Sequence, residues 1–410
     1  MIMVKWWTPM LRLPQLLSIS LAVCLLASCS KSQIDASPAA TQQSVYANPE
    51  TIQFSVEHYQ LMLKQAYLKL GYEYPADADY NAVKNAASMD EAKSAYNTAI
   101  ENLVNSEILS EGLLDFFTQI LGVGNPATDT DLMPAYIGVH TILQGKPMSN
   151  FLLMKGAYDE DGNVITQTYV NGPPTTAQAG YMTTQPYFIY WGNAFFFKHV
   201  REAYVLNLCT KAPFNNAEFY RWTTTQINPK YVQATNNSPT QCEACHTVLN
   251  IGRGAFHGYD GATLNWSGTY TQGTTQYGQE PTGVLEPRNS GGTPLGATAA
   301  RALYKLTDNG ASFSTPQEWA QEIVQHENFA SCWTQRLMTF ALGLDPGSPG
   351  ASPVIPNYFS GNEAGITFIQ QQTAKFKDLG QKPKDYLIYF LQSPYYLVTG
   401  YVDPNAGVTE

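Results

Sequence analysis

The stretch Cys242-Glu243-Ala244-Cys245-His246 holds the residue types and spacing that can do chemistry in this sequence. Its two thiols stand about one helical turn apart, and an imidazole follows the second directly. Such a pair can add across the two vinyl groups of one haem edge, which places His246 beneath the iron as its proximal ligand. C-x-x-C-H is accordingly the attachment pattern for c-type haem. A thioredoxin-like redox C-x-x-C would want a preceding strand and a long following helix, and nothing upstream of Thr240 reads as a βαβ unit. Structural zinc would need a second ligand pair at finger spacing, and the sequence has none. The expected cofactor is one covalent haem c on Cys242, Cys245 and His246.

A five-residue pattern gains weight from its compartment, because this haem is attached outside the cytoplasm. Residues 1–28 read as an export address, with Lys5 and Arg12 ahead of the largely apolar run Leu16–Leu26. It closes on Leu26-Ala27-Ser28-Cys29, a small-residue site with Cys at the next position, which resembles a bacterial lipobox. Cys29 is thus the expected lipidation site. An ordinary signal peptide with an incidental Cys, or an N-terminal anchor helix, is the alternative. The run is well short of the roughly 20 residues that span a bilayer. Residues 29–50, rich in Ser, Gln, Ala and Thr, read as a flexible tether. Ser30 after the Cys favours an outer-membrane destination, facing the periplasm or the cell surface.

Six cysteines occur, at 24, 29, 209, 242, 245 and 332. Cys24 leaves with the signal, Cys29 takes the lipid and two carry the haem. Cys209 and Cys332 remain, an even pair in an oxidising compartment, so a disulfide is the default and two buried free thiols the alternative. Formal charge is −10 with no Lys/Arg cluster, which excludes nucleic acid as a partner. Only 14% of residues are charged while 12% are aromatic, the opposite of a disordered chain.

The elements that must position the motif read as mainly α. Ile52, Val56, Tyr59, Leu63 and Tyr67 recur at helical intervals, Glu91–Leu103 continues in kind, and Ser106–Leu121 stops at Gly122. Met133–Leu153 predicts one or two short helices, Tyr158–Asn163 a turn, and Trp191–Cys209 a strong helix. A helix near Thr240 holds the motif, and residues 251–298 form Gly/Thr-rich loop. Pro316 opens a helical stretch through Ala341 ending at Gly343, and Lys384–Leu391 is the last helix. The expected division is a helical domain over 51–230 and a cytochrome c-like haem domain with long loops over 231–410.

An electron-transfer haem takes a second axial ligand. Met338 is the only Met downstream of the motif, and its surroundings read equally as a core face. It lies six residues after Cys332, about 240° around the helix, so the two do not share a face. His257, in a Gly-flanked loop, is the second candidate. His326, Met182, His199, His140 or an open site complete the alternatives.

From Cys242 to Asp260 the sequence resembles a planctomycete-type family of secreted single-haem, cytochrome c-like proteins, whose haem segment runs on to an aromatic and an Asp, here Tyr259-Asp260. Ala179–Pro186, Asn207-Leu208-Cys209, Phe329-Ala330-Ser331-Cys332 and Thr339–Gly343 are similar to further segments of it, as is Asn105–Gly122. The sequence departs at His257, more often Glu there, at the missing Pro after Asn250, and at Leu344 in place of an Arg. The resemblance implies haem attachment, a helical fold and the Cys209–Cys332 pairing, and carries no activity with it.

The expected role is a lipid-anchored mono-haem cytochrome passing single electrons to a redox partner protein in the envelope. A haem oxidoreductase acting on peroxide, O₂ or an organic substrate through an open distal site is the first alternative, and a partner-binding module the second. No Ser/His/Asp triad, phosphate loop or paired-carboxylate pattern supports chemistry without the haem.

Overall fold

The computed structural model describes residues 49–123, 132–167, 173–187, 197–209, 252, 254–256, 313, 315–346, 353 and 363–400. The export segment with Cys29, most of the tether, the motif Cys242–His246, His257, most of the loop 251–298 and the expected domain boundary at 230/231 lie outside the described residues.

The first helix, α1 (Val56–Leu70), opens at Ser55, whose Oγ accepts a hydrogen bond from the His58 amide at 3.2 Å. This satisfies one of the donors that a helix start leaves orphaned. Next come α2 (Asp77–Lys84) and α3 (Met89–Asn105). Ser88 caps α3 by accepting from the Glu91 amide, and the Glu91 carboxylate reaches back to the Ala87 amide at 2.8 Å. The fourth helix, α4 (Ile108–Leu121), crosses the end of α1 so closely that a Cβ on Gly112 would overlap the Leu70 carbonyl. It ends at Gly122, whose φ of 67° is the left-handed turn expected there.

Residues Met133–Leu143 form α5, buried almost all round, and Asn150–Leu153 form the short α6. An antiparallel pair, β1 (Ala157–Tyr158) with β2 (Val164–Ile165), flanks the expected turn and is the only sheet among the described residues. Later in the chain come α7 (Phe197–Leu208), α8 (Pro316–Gln325), α9 (Glu327–Ala341), α10 (Glu363–Asp378), α11 (Pro383–Gln392) and α12 (Pro394–Leu397). The described chain is mainly helical, as its periodicity predicts.

Elements from both sides of residue 230 share one hydrophobic core, with Tyr96, Phe117, Tyr204, Trp319, Trp333 and Tyr386 all fully buried. Polar contacts staple early helices to late ones. Tyr96 Oη donates to the Leu391 carbonyl at 2.8 Å, Lys384 Nζ to Leu143 O at 3.0 Å, and His58 Nε2 pairs with Leu397 O at 2.7 Å.

The structure differs from the sequence expectation at three places. The stretch 316–341 is two helices: His326 is extended at ψ 139°, ends α8, and starts α9 by accepting from the Asn328 amide at 3.1 Å. An imidazole that can act as an N-cap interrupts an otherwise unbroken apolar period. The helices α2 and α10 carry no reading in the sequence. The first has eight residues and one buried side chain, Val83, too little for a period to show.

The end of α7 is clamped to α9. Cys209, at φ 51°, is joined to Cys332 by a disulfide with Cα atoms 5.2 Å apart. One turn further on, Arg336 is 2% exposed and gives Nε to the Leu206 carbonyl at 2.8 Å and Nη2 to Val205 O at 3.1 Å. Those carbonyls belong to the negative end of the α7 dipole, which favours a cation there. Burial lowers the guanidinium to about 10, with Tyr181 acting in the opposite sense, so it stays charged at neutral pH.

Because the disulfide closes a separation of 123 residues, replacing Cys209 and Cys332 together by Ala should lower stability by about 2–5 kcal/mol, measured as a fall in denaturant midpoint, with m rising as the released unfolded chain expands. An unchanged midpoint would show that the bridge does not constrain the unfolded chain.

Candidate functional site

The attachment residues are outside the described part, so the site is built here from the described residues that follow them. Gly252 lies six positions after His246, which keeps the two Cα atoms within about 22 Å by chain length alone. Gly252 and the 3₁₀ turn Gly254–Phe256 are set against α7 and α8. A Cβ on Gly252 would overlap Val200 and stand 3.2 Å from Tyr204 Oη, so only glycine lets the chain pass there. Val200 and Tyr204 are four apart and share one face of α7.

Phe256 is 1% exposed and inserts between two rings. It meets His199 edge-on, centroids 4.7 Å apart, and Trp319 edge-on at 5.5 Å. From Trp319 the cluster continues to Tyr204 at 5.4 Å. From His199 it continues through Tyr187 at 4.8 Å and Tyr181 at 4.8 Å to Phe151 at 4.3 Å. The cluster is therefore aromatic and buried.

Each ring has a local reason for its place. Trp319 lies on α8, whose start is fixed by a reciprocal capping box: Thr315 Oγ1 accepts from the Glu318 amide and the Thr315 amide donates to Glu318 Oε2 at 3.1 Å. Tyr181 sits in the 3₁₀ turn Gly180–Thr183 and accepts from Asn207 Nδ2 at 2.8 Å, while Trp333 Nε1 donates to Asn207 Oδ1 at 3.3 Å. The α7–α9 clamp thus extends into the cluster.

His199 is fully buried. Desolvation lowers its pKa to about 3, opposed by a hydrogen bond to the Met182 backbone. The imidazole is neutral across the physiological range. Trp319 Nε1 and Tyr204 Oη are also fully buried, and neither makes a hydrogen bond of good geometry. Burial raises the Tyr204 phenol well above its ordinary value, so it stays protonated, although the Trp319 N–H beside it acts the other way.

The sequence-predicted residues divide clearly. Cys242, Cys245, His246, His257 and Cys29 lie outside the described residues. Cys209 and Cys332 are bonded to each other. Met338 is fully buried in the core on α9, about 200° around the helix from Arg336, whose side chain reaches α7. His140 is held by the Glu160 carbonyl at 3.0 Å, and His326 is spent as a helix cap. Of the candidate distal groups with described side chains, His199 is the one in ring contact with the segment after the motif. Tyr204 and Trp319 were not singled out by sequence; their spacing, one helical turn from Val200 and inside a Pro-started helix, reads as ordinary core.

Around Phe256 the rings pack on one another, and the Trp319 indole N–H faces the Tyr204 phenol oxygen. Among the described residues no helix is long and apolar enough to cross a membrane. No known protein family, curated protein or solved structure matches the chain.

With the folded pKa of His199 lowered, the unfolded chain binds its proton first. Stability should then fall as pH drops below the unfolded value near 6.5, by about 1.4 kcal/mol per unit from this group until the folded pKa is reached. His199→Gln should flatten that loss between pH 6.5 and 4 in denaturant titrations. An equally steep acid limb in the variant would assign the loss elsewhere.

Proposed function

We propose that this protein is a lipid-anchored, mono-haem c-type cytochrome that carries single electrons at the cell envelope, on a mainly helical scaffold with a cytochrome c-like haem segment. The observation that carries this reading is the C-x-x-C-H pattern Cys242–His246 behind an export segment that ends at Cys29. Cys242 and Cys245 would hold the group covalently and His246 would ligate its iron. When bound, haem supplies a one-electron ferric–ferrous couple. Gly252 and Phe256, a few residues after the motif, pack on α7 and α8, which gives the segment following His246 a seat on the helical scaffold.

Electron transfer is favoured over haem catalysis by the single haem motif, the flexible tether and the lack of any other catalytic pattern in the sequence. A partner protein in the envelope completes the circuit. Met338 and His257 remain the distal candidates drawn from the motif's own side of the chain, with His199 as the candidate closest to the described haem-side segment.

Two measurements test the reading. Cys242→Ala and Cys245→Ala should each abolish or cripple covalent haem retention, scored by haem-stained gel and intact mass after production with the maturation machinery. A wild-type chain of apo mass would end the proposal. Independently, Cys29→Ser should move the protein from the membrane fraction to the soluble one. Continued pelleting after a high-salt wash would remove the lipid anchor from it.

A further inference from the structure

We propose that the Cys209–Cys332 bridge is a thiol–disulfide exchange site, attacked by an external dithiol at Cys209 with Cys332 as the leaving sulfur. Only the described scaffold is needed for this, not the haem reading above.

The two ends of the bridge differ in burial. Cys332 is 1% exposed within α9, whereas Cys209, one residue past α7, keeps part of its surface in solvent. In exchange a thiolate attacks one sulfur in line with the bond that breaks, from the side away from the leaving sulfur. The line from the buried sulfur through the outer one runs toward the surface, so Cys209 Sγ is the reachable centre. Cys209 also stands at φ 51°, the left-handed position after a helix that glycine usually fills. A residue with a Cβ is held there at a conformational cost, and freeing its sulfur lets that backbone relax.

The inner sulfur has a cation beside it. Cys332 Sγ lies 3.4 Å from the Leu206 carbonyl oxygen, and Arg336 Nε donates to that same oxygen at 2.8 Å. Sulfur and guanidinium nitrogen are therefore no more than about 6 Å apart, a range in which one full charge shifts the ionisation of another group. The two residues are four apart on α9 and share a face. The Val205 and Leu206 carbonyls would repel a thiolate, but both already accept from Arg336, which is charged at neutral pH. Tyr181 is kept protonated by burial, and the Glu202 carboxylate is paired with Arg201. A cysteine whose thiolate is favoured in this way is the better leaving group.

The electrons balance as a two-step exchange. A thiolate of the dithiol bonds to Cys209 Sγ as the bridge breaks, and the electron pair passes to Cys332. The second thiol of the reagent loses its proton to water and displaces Cys209, which takes up a proton. The dithiol departs as a disulfide and the protein holds two reduced cysteines. Reduction removes the covalent tie between α7 and α9 and leaves the Arg336 and Asn207 hydrogen bonds to hold them together.

The test uses the full-length protein, folded at pH 7. Brief exposure to glutathione, acid quenching and peptide mapping should place the adduct on Cys209 at least about tenfold over Cys332. Millimolar dithiothreitol should open the bridge without global unfolding, and Arg336→Leu should slow this about tenfold. A purely structural Arg336 would do the reverse, since a looser fold exposes the bridge. An adduct chiefly on Cys332, or a bridge that opens only as the protein unfolds, would overturn the proposal. A wild-type or faster rate in folded Arg336→Leu would overturn the role of the guanidinium. Should that variant not fold, the position of the adduct in the wild type decides.

Discussion

The described structure depends on how the last turn of α7 is held. A helix end leaves carbonyls without partners, and here two of them, Val205 and Leu206, are met by a guanidinium that is itself almost wholly out of water. A buried cation is costly unless its surroundings are arranged for it, and the helix dipole supplies that arrangement. The disulfide adds a covalent limit on how far α7 and α9 can separate. Asn207, between Tyr181 and Trp333, carries the same fixation into the aromatic wall. Loosening this end of α7 would therefore disturb His199 and Tyr204, which lie one to three turns back along the same helix.

The wall owes its character to rings that meet edge to face. Such contacts fix relative orientation as well as distance, which an aliphatic lining of equal volume would not. Phe256 links the segment after the C-x-x-C-H motif to this wall, since it touches rings from α7 and α8 at once. Orientation and burial are properties of the scaffold itself, set by residues far from the motif in sequence.

Much of this fold was legible before any coordinates. The apolar intervals of α1, α3 and α4, the stop at Gly122 and the turn at Asp161-Gly162 are local signals, and local physics decides them. His326 was not legible, because a capping imidazole and a helical one look alike in a string of letters. The short α2 was missed for want of a repeat. The chemistry expected of the motif rests on spacing alone, whereas Tyr204 and Trp319 are 115 positions apart and meet only when α7 and α8 come together. Arg336 likewise read as one polar residue in a core run, because its partners are backbone carbonyls, which no side-chain pattern encodes.

The bridge between Cys209 and Cys332 has a further meaning for how such a chain can change over time. The chain between Cys209 and Cys332 begins and ends at points 5.2 Å apart. The C-x-x-C-H motif and α8 lie within that excursion, while α1 through α7 and α10 through α12 lie outside it. An inserted segment whose ends meet can lengthen or shorten with a closure cost that grows only as the logarithm of its length. The excursion is thus a cassette: residues can be gained or lost inside it while the frame keeps its register, provided the Gly252–Phe256 foothold and α8 still reach their seats.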